Sequence, residues 1–340
     1  MKPQRVLTLV HKGLEPPEGE AHKFKASTAE WRMEYDVVQT LRALGHELKV
    51  IGVHDDLTPI RSSIDDFKPS ITFNLMEAFD DVVVFDQNVV SYLELLRVPY
   101  TGCNPRGLTL SRDKALAKKL MAYHRIPVPD FLVVPLGRRP TLPKRLQFPL
   151  IVKSLTYESS TGISQASVVA NEDQLNKRVQ FIHDTIMTPA IVEQFIDGRE
   201  LYVGVMGNDR LQVFPVWEMS FAKMPEDSWR IATERVKWSA KYQEKHGIDT
   251  GEASLPEEVS SKVQHLAKRV YRALDLTGYA RVDLRMRPDG QLFVIEANPN
   301  PQLAQGEDFA ESARRAGVSY AKLIERIIGL GLQWQPSRMA

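Results

Sequence analysis

At 340 residues the chain is long for one compact core, so two or three lobes are expected. Hydrophobic residues at 43%, charged residues at 26% and a net charge of +1 fit a soluble globular protein and exclude nucleic acid as an obligatory partner. The lone Cys103 rules out an intramolecular disulfide and any multi-cysteine metal site, and no apolar run is long enough to span a bilayer; a cytoplasmic protein without a membrane partner is expected.

Residues 5–10 read as a buried opening strand, followed over 13–25 by a polar loop with Pro and Gly. A helical pattern then carries Trp31, Tyr35, Val38 and Leu41 on one face and stops at Gly45. Strands over 48–53 and 71–75 and a helix over 89–96 complete an alternation that implies a parallel sheet covered by helices. A charged helix is expected from Ser111 to just before Pro127, then short strands over 131–134 and 150–153 and a Ser/Thr/Gly loop over 154–162. Further strands are expected over 190–195, 201–206 and 211–216. A polar segment over 220–254 precedes a helix opened by Pro256, with Val259, Val263, Leu266, Val270 and Leu274 at helical spacing. Residues 309–330 look helical, with a break at Gly317.

Near the C-terminal end, Arg281-Val282-Asp283-Leu284-Arg285 and Phe293-Val294-Ile295-Glu296-Ala297-Asn298 flank Pro288-Asp289-Gly290, which reads as a hairpin. Strand alternation puts Arg281, Asp283 and Arg285 on one face and Glu296 and Asn298 on one face, with Ile295 and Ala297 pointing away. Asp283, Glu296 and Asn298 together offer oxygen ligands of the kind Mg²⁺ takes, and the two arginines suit a metal–phosphate group. Lys114 and Lys153, from separate segments, could clamp phosphates as point charges, and the Ser/Thr/Gly loop offers N–H and hydroxyl donors.

In order, these features resemble the ATP-grasp superfamily and, within it, the D-alanine–D-alanine ligase branch. The resemblance rests on Ser111-Arg112-Asp113-Lys114, on Ile151-Val152-Lys153 with Ser159-Ser160-Thr161-Gly162, and on Val192-Glu193-Gln194-Phe195-Ile196 with Glu200. Ala240-Lys241-Tyr242 and Glu296-Ala297-Asn298 extend it, so that it spans roughly residues 73–328. It implies an α/β protein of three lobes: an N-terminal parallel α/β lobe (1–107), a small central α+β lobe (108–200) and a C-terminal α+β lobe (201–332) with a mainly antiparallel sheet and the metal site. It further implies an ATP-dependent carboxylate–amine ligase working through an acyl phosphate, with Mg²⁺ or Mn²⁺ as metal.

By the same resemblance, Lys114, Lys153, Ser160, Gly162 and Lys241 hold phosphates. Glu193, Gln194 and Ile196 meet adenine, Glu200 takes the ribose, and Arg281, Ser159 and Tyr242 serve the chemistry, with Tyr242 on a lid. Partners would be a small-molecule carboxylate and an amine, with room for a homodimer.

The departures fall at the substrate end. Phe73-Asn74-Leu75-Met76-Glu77 stands where the family carries His-Gly, and Val10-His11-Lys12-Gly13 lacks its first glycine-rich pattern. Glu158 takes a glycine position, Gln302 falls in the oxyanion segment, and Glu307 replaces a carboxylate-binding serine. The expected substrates are therefore amino-acid-like or short peptides other than two D-alanines. Two other readings are an ATP-grasp phosphotransferase and a nucleotide-binding regulatory module; retention of Arg281 beside Asp283 speaks against the latter.

Overall fold

The computed structural model describes residues 1–17, 29–157, 160–334 and 336, which form three sheets. Of the loop expected over 13–25, residues 18–25 lie outside the described residues, as do Glu158 and Ser159.

The first sheet is parallel, in the order β2-β1-β3, from β1 (Arg5–His11), β2 (Glu47–Val53) and β3 (Ile71–Asn74). β1 lies between its two neighbours, which is why Val6, Leu7, Leu9 and Val10, and Thr8 among them, have no exposure. Helices α1 (Arg32–Ala43), α2 (Thr58–Phe67) and α3 (Asp86–Leu95) accompany it. The expected stop after α1 falls at Gly45, whose φ of +81° suits only a residue without Cβ.

Two helices, α4 (Pro105–Arg112) and α5 (Lys114–Tyr123), replace the one expected from Ser111. The break is Asp113, whose extended backbone lets its carboxylate accept the N–H groups of Ala115 and Leu116, each at 2.9 Å. Capping thus overrides the continuous charge pattern.

The second sheet is antiparallel, in the order β4-β7-β5-β6, from β4 (Phe131–Val134), β5 (Leu150–Ser154), β6 (Val168–Val169) and β7 (Ala190–Gln194). It packs on α6 (Glu172–Phe181) around its own core of Leu150, Val152, Leu175, Val179 and Val192.

The third sheet is also antiparallel and runs β11-β10-β8-β12-β13, with β9 paired to β8. Its strands are β8 (Arg199–Met206), β9 (Gln212–Val213), β10 (Trp217–Phe221), β11 (Ile248–Glu252), β12 (Tyr279–Met286) and β13 (Leu292–Pro299). The strand expected over 211–216 shrinks to β9. The polar segment over 220–254 is not a plain loop, since it holds α7 (Glu234–Trp238), α8 (Ala240–His246) and β11. Helix α9 (Glu257–Ala273) packs Val263, Leu266 and Val270 beneath this sheet as their spacing requires. Helices α10 (Asp308–Arg315) and α11 (Tyr320–Gln333) are separated around Gly317, at φ +77°.

Two larger cores join the first and third sheets. One links Leu7 and Leu93 to Val203, Val282 and Leu284; the other links Val6, Val10 and Phe73 to Phe309, Leu323 and Ile327. Among the described residues no helix is long and apolar enough to cross a membrane.

Candidate active site

The floor of a cleft between the second and third sheets is the hairpin β12–β13, which pairs Asp283 with Glu296 and Arg281 with Asn298. Val282 and Ala297 point into the core below, so alternation alone turns both carboxylates to the cleft side. The register then steps from Asp283↔Glu296 to Leu284↔Val294, leaving Ile295 as an unpaired bulge. Ile295 therefore does not point away as strict alternation predicts. It lines the cleft, and its carbonyl accepts a hydrogen bond from Lys118 Nζ at 2.6 Å.

Arg281 donates through Nε and Nη2 to Asp283 Oδ1 and Oδ2, at 2.7 and 2.9 Å, with its guanidinium over the Tyr202 ring. Asn298 Nδ2 donates to Asp283 Oδ2 at 3.0 Å, which turns the amide oxygen away from that carboxylate. Arg285, expected beside the metal cluster, works elsewhere. It donates to Glu200 Oε2 at 2.5 Å and to the carbonyls of Ile196 and Arg230 at 3.1 and 2.5 Å. Tyr202 fixes the other Glu200 oxygen at 2.8 Å. Arg285 is thus a staple between β12 and the strand connection 195–200.

Above the floor, β5 and β7 deliver Lys153 and Glu193 at diagonal positions of their ladder, where Lys153 pairs with Ile191 and Glu193 with Ile151. Lys153 Nζ donates to Glu193 Oε2 at 3.0 Å, and Lys118 Nζ lies 3.2 Å from Oε1. That second contact is an ion pair without a directed hydrogen bond, so Oε1 keeps its accepting capacity. Burial pushes the Glu193 carboxyl up, but the two ammonium groups outweigh it and bring it below the usual range. Lys114, from the first turn of α5, donates to the Tyr157 carbonyl at 2.6 Å.

Electrostatics separate the two floor carboxylates. Burial raises Glu296, yet Lys114, Lys153, Lys237 and Arg281 prevail and hold it at about 2. Burial raises Asp283 above its ordinary value against the opposing pull of Arg281, and neighbouring Glu296 adds to the rise. An acidic pair ringed by four cations is arranged for a ligand that carries both signs. The donors are all oxygen and suit a hard cation; Arg281 and Asn298 together place two hydrogen bonds on Asp283 Oδ2 and one on Oδ1, so Oδ1 keeps a lone pair for a metal.

Lys114, Lys153, Glu193, Gln194, Ile196 and Glu200 all line this cleft, as do Ser160, Asp283 and Glu296. Asn298 and Arg281 join it through Asp283. Ser160 adopts a left-handed φ of +62° and donates to the Ala232 carbonyl at 2.7 Å. Five other candidates do not line the cleft. Gly162 turns at φ +69°, its carbonyl taken by Arg178. Lys241 is exposed, and Tyr242 stacks on His246 and packs beside Tyr202 and Val236. Gln302 accepts from the Ala304 N–H at 3.4 Å. Glu307 precedes α10 without capping it and pairs with Arg32 at 3.3 Å. Ser159 lies outside the described residues.

Two lysines escaped the sequence reading. Lys118 is one turn beyond Lys114, so i,i+4 spacing on α5 was the available signal. Lys237 lines the cleft, four residues before the lysine that the matched triplet singled out.

The model of the family described as "D-ala D-ala ligase C-terminus" matches residues 120–329. The chain is 31% identical over 296 residues to a D-alanine–D-alanine ligase of Desulfotalea psychrophila, covering 86% of this chain and 88% of that protein. It is also 31% identical over 305 residues to the uncharacterized protein y4sG of Sinorhizobium fredii, covering 87% and 86%. Its fold is similar to that of the D-alanine–D-alanine ligase from Bacillus anthracis complexed with ATP, with a TM-score of 0.75 at 21% identity over 97% of this chain and 98% of that one. The VanG D-Ala:D-Ser ligase from Enterococcus faecalis gives a TM-score of 0.69 at 19% identity, over 97% and 100%.

Proposed function

This chain belongs to the D-alanine–D-alanine ligase family of ATP-grasp proteins, and we propose that it joins a small carboxylate to an amine through an acyl phosphate. The carboxylate oxygen attacks the γ-phosphorus of ATP and ADP leaves. The amine nitrogen then attacks the acyl carbon, inorganic phosphate departs with the C–O electron pair, and the amine loses a proton. The observation that carries this reading is the facing pair Asp283–Glu296 inside a ring of Lys114, Lys153, Lys237 and Arg281. The lysines neutralise phosphate oxygens, and Asp283, Glu296 and Asn298 would hold Mg²⁺, or Mn²⁺ in its place. When bound, the metal supplies further charge neutralisation. Arg281 stands at the edge of that cluster, where an oxyanion would develop on the acyl carbon.

Adenosine is assigned to the connection after β7. Glu193 Oε1 can accept the adenine amino group, backbone at Gln194 and Ile196 meets the ring edge, and Glu200, held by Arg285 and Tyr202, meets the ribose hydroxyls. Lys237 takes the phosphate role that the sequence suggested for Lys241. Lys237→Ala should lower kcat/KM for ATP about ten- to a hundredfold, or roughly 1.4–3 kcal/mol, while Lys241→Ala stays within about twofold. Steady-state kinetics on both variants decide, and equal losses would return the role to Lys241.

The acceptor is assigned a chemistry other than that of D-alanine. Glu307 and Asp308 open α10 near Arg281, and both carboxylates act on its guanidinium. The Arg32–Glu307 pair moderates the field at Glu307, but two acids there still disfavour an acceptor carboxylate. Measuring ADP release against amino acids and dipeptides, singly and in pairs, tests the whole reading. Release that requires two compounds and yields an amide is expected. Release with one hydroxyl compound and no amide would replace ligation by phosphotransfer, and efficient D-alanyl-D-alanine formation would overturn the acceptor assignment alone.

A further inference from the structure

We propose that His11, His54 and Asp81 form a binding site for a borderline divalent transition metal, with Zn²⁺ as the fitting ion. None of the three lines the cleft described above. Their ligand atoms all lie within 4.8 Å of one another.

The fold builds this constellation from two strand ends and a turn. His11 closes β1 and pairs in register with Val53, the residue before His54, so both histidines leave the parallel sheet side by side. Their rings meet edge to face, with centroids 5.5 Å apart. Asp81 comes from a tight two-residue hairpin after β3, closed by hydrogen bonds between Phe79 and Val82 at 3.0 and 3.3 Å. Asp80 and Asp81 hold consecutive left-handed φ values of +53° and +56°, a conformation that β-carbon sterics disfavour and that glycine or asparagine usually fills. The Asp80 N–H donates to the His54 carbonyl at 2.8 Å, which ties the turn to the sheet and sets the Asp81 carboxylate over both rings.

The geometry matches a metal site at two levels. Each Nε2 faces the carboxylate, at 3.5 Å from His11 and 3.2 Å from His54. A tetrahedral ion with ligands at about 2.0–2.1 Å needs ligand atoms about 3.3 Å apart. Each Nδ1, in turn, faces an acceptor: the Lys12 carbonyl at 3.1 Å for His11, and the Asp55 carboxylate at 3.5 Å for His54. With a metal on Nε2, a carbonyl or carboxylate behind the imidazole holds the remaining ring proton on Nδ1. Two imidazoles and one carboxylate favour Zn²⁺ over Mg²⁺ or Ca²⁺, and the exposed fourth position is left to water. Loading would tie β1, β2 and the segment after β3 together at the C-terminal end of the parallel strands.

Titration of the whole protein with Zn²⁺ and with Co²⁺, in a large excess of Mg²⁺ to hold the Asp283–Glu296 cluster, tests the proposal. Wild type should bind about one equivalent of Zn²⁺, show the visible absorption of low-symmetry Co²⁺, and melt at a higher temperature with Zn²⁺. His11→Ala and His54→Ala should each weaken Zn²⁺ binding at least about tenfold, and Asp81→Asn should do the same. Asp81 is exposed on a turn, so its variant reports on binding independently of folding. Zn²⁺ isotherms that match wild type in all three variants, or no Zn²⁺ binding by wild type, would overturn the assignment.

Discussion

Glu296→Gln should give a folded protein whose turnover falls by about a thousandfold or more, the scale of losing roughly 4 kcal/mol of transition-state stabilisation. The substitution keeps shape and volume and removes one charge, so packing against Ile295 and Asp283 has no cause to change. What changes is the centre of the cationic ring, because Glu296 is the carboxylate that Lys114, Lys153 and Lys237 hold ionised. With a neutral amide there, a divalent cation loses a charged ligand and the lysines lose the anion that spaces them. Circular dichroism and ADP release under saturating ATP check both halves. Wild-type turnover from a folded Glu296→Gln protein would falsify the placement of the metal.

Glu193→Gln should cost about 3–5 kcal/mol of stability, because it strands Lys118 and Lys153 in the interior without their counter-ion. All three side chains are almost fully buried, so solvent cannot screen the mutual repulsion of the ammonium groups. The sign of the pH dependence follows. The Glu193 carboxyl sits below its ordinary 4.5, so its contribution is complete above that value and is lost as pH falls through the depressed folded value. Urea denaturation of wild type and variant at neutral pH, repeated toward acid, should show a gap that closes at low pH. A gap under about 1 kcal/mol at neutral pH would mean that the triad behaves like a surface ion pair, and the argument for it would fail.

The legible parts of this molecule were those decided by local periodicity. Strand alternation placed Asp283 and Glu296 on one face, and helical spacing found α9 and the break at Gly317, because each depends on neighbours a few residues away. The bulge at Ile295 was hidden, since a register step depends on which residues of β12 oppose β13, and parity carries no record of it. The three-residue likeness at 240–242 led to Lys241, whereas the chain there is organised by burial of Val236, which presents Lys237 to the cleft. The triad partner Lys118 stands among the charged residues of the helix expected from Ser111, where nothing local sets it apart. Only the arrival of Glu193 and the Ile295 carbonyl from distant segments makes its burial tolerable. The partner of Glu307 is hidden for the same reason, because Arg32 lies 275 residues away in the chain.

The division of the apolar interior also sets how the molecule comes apart. The first and third sheets share two cores, whereas the second sheet and α6 close around one of their own. Amide protons of β1, β8 and β12 should therefore exchange only through complete unfolding and at a common free energy. Those of β5 and β7 have a cheaper subglobal route, in which the four-stranded sheet melts while the remainder stays native. Nucleotide held between the two parts would close that route first, so added ATP should slow exchange in β5 and β7 far more than in β1.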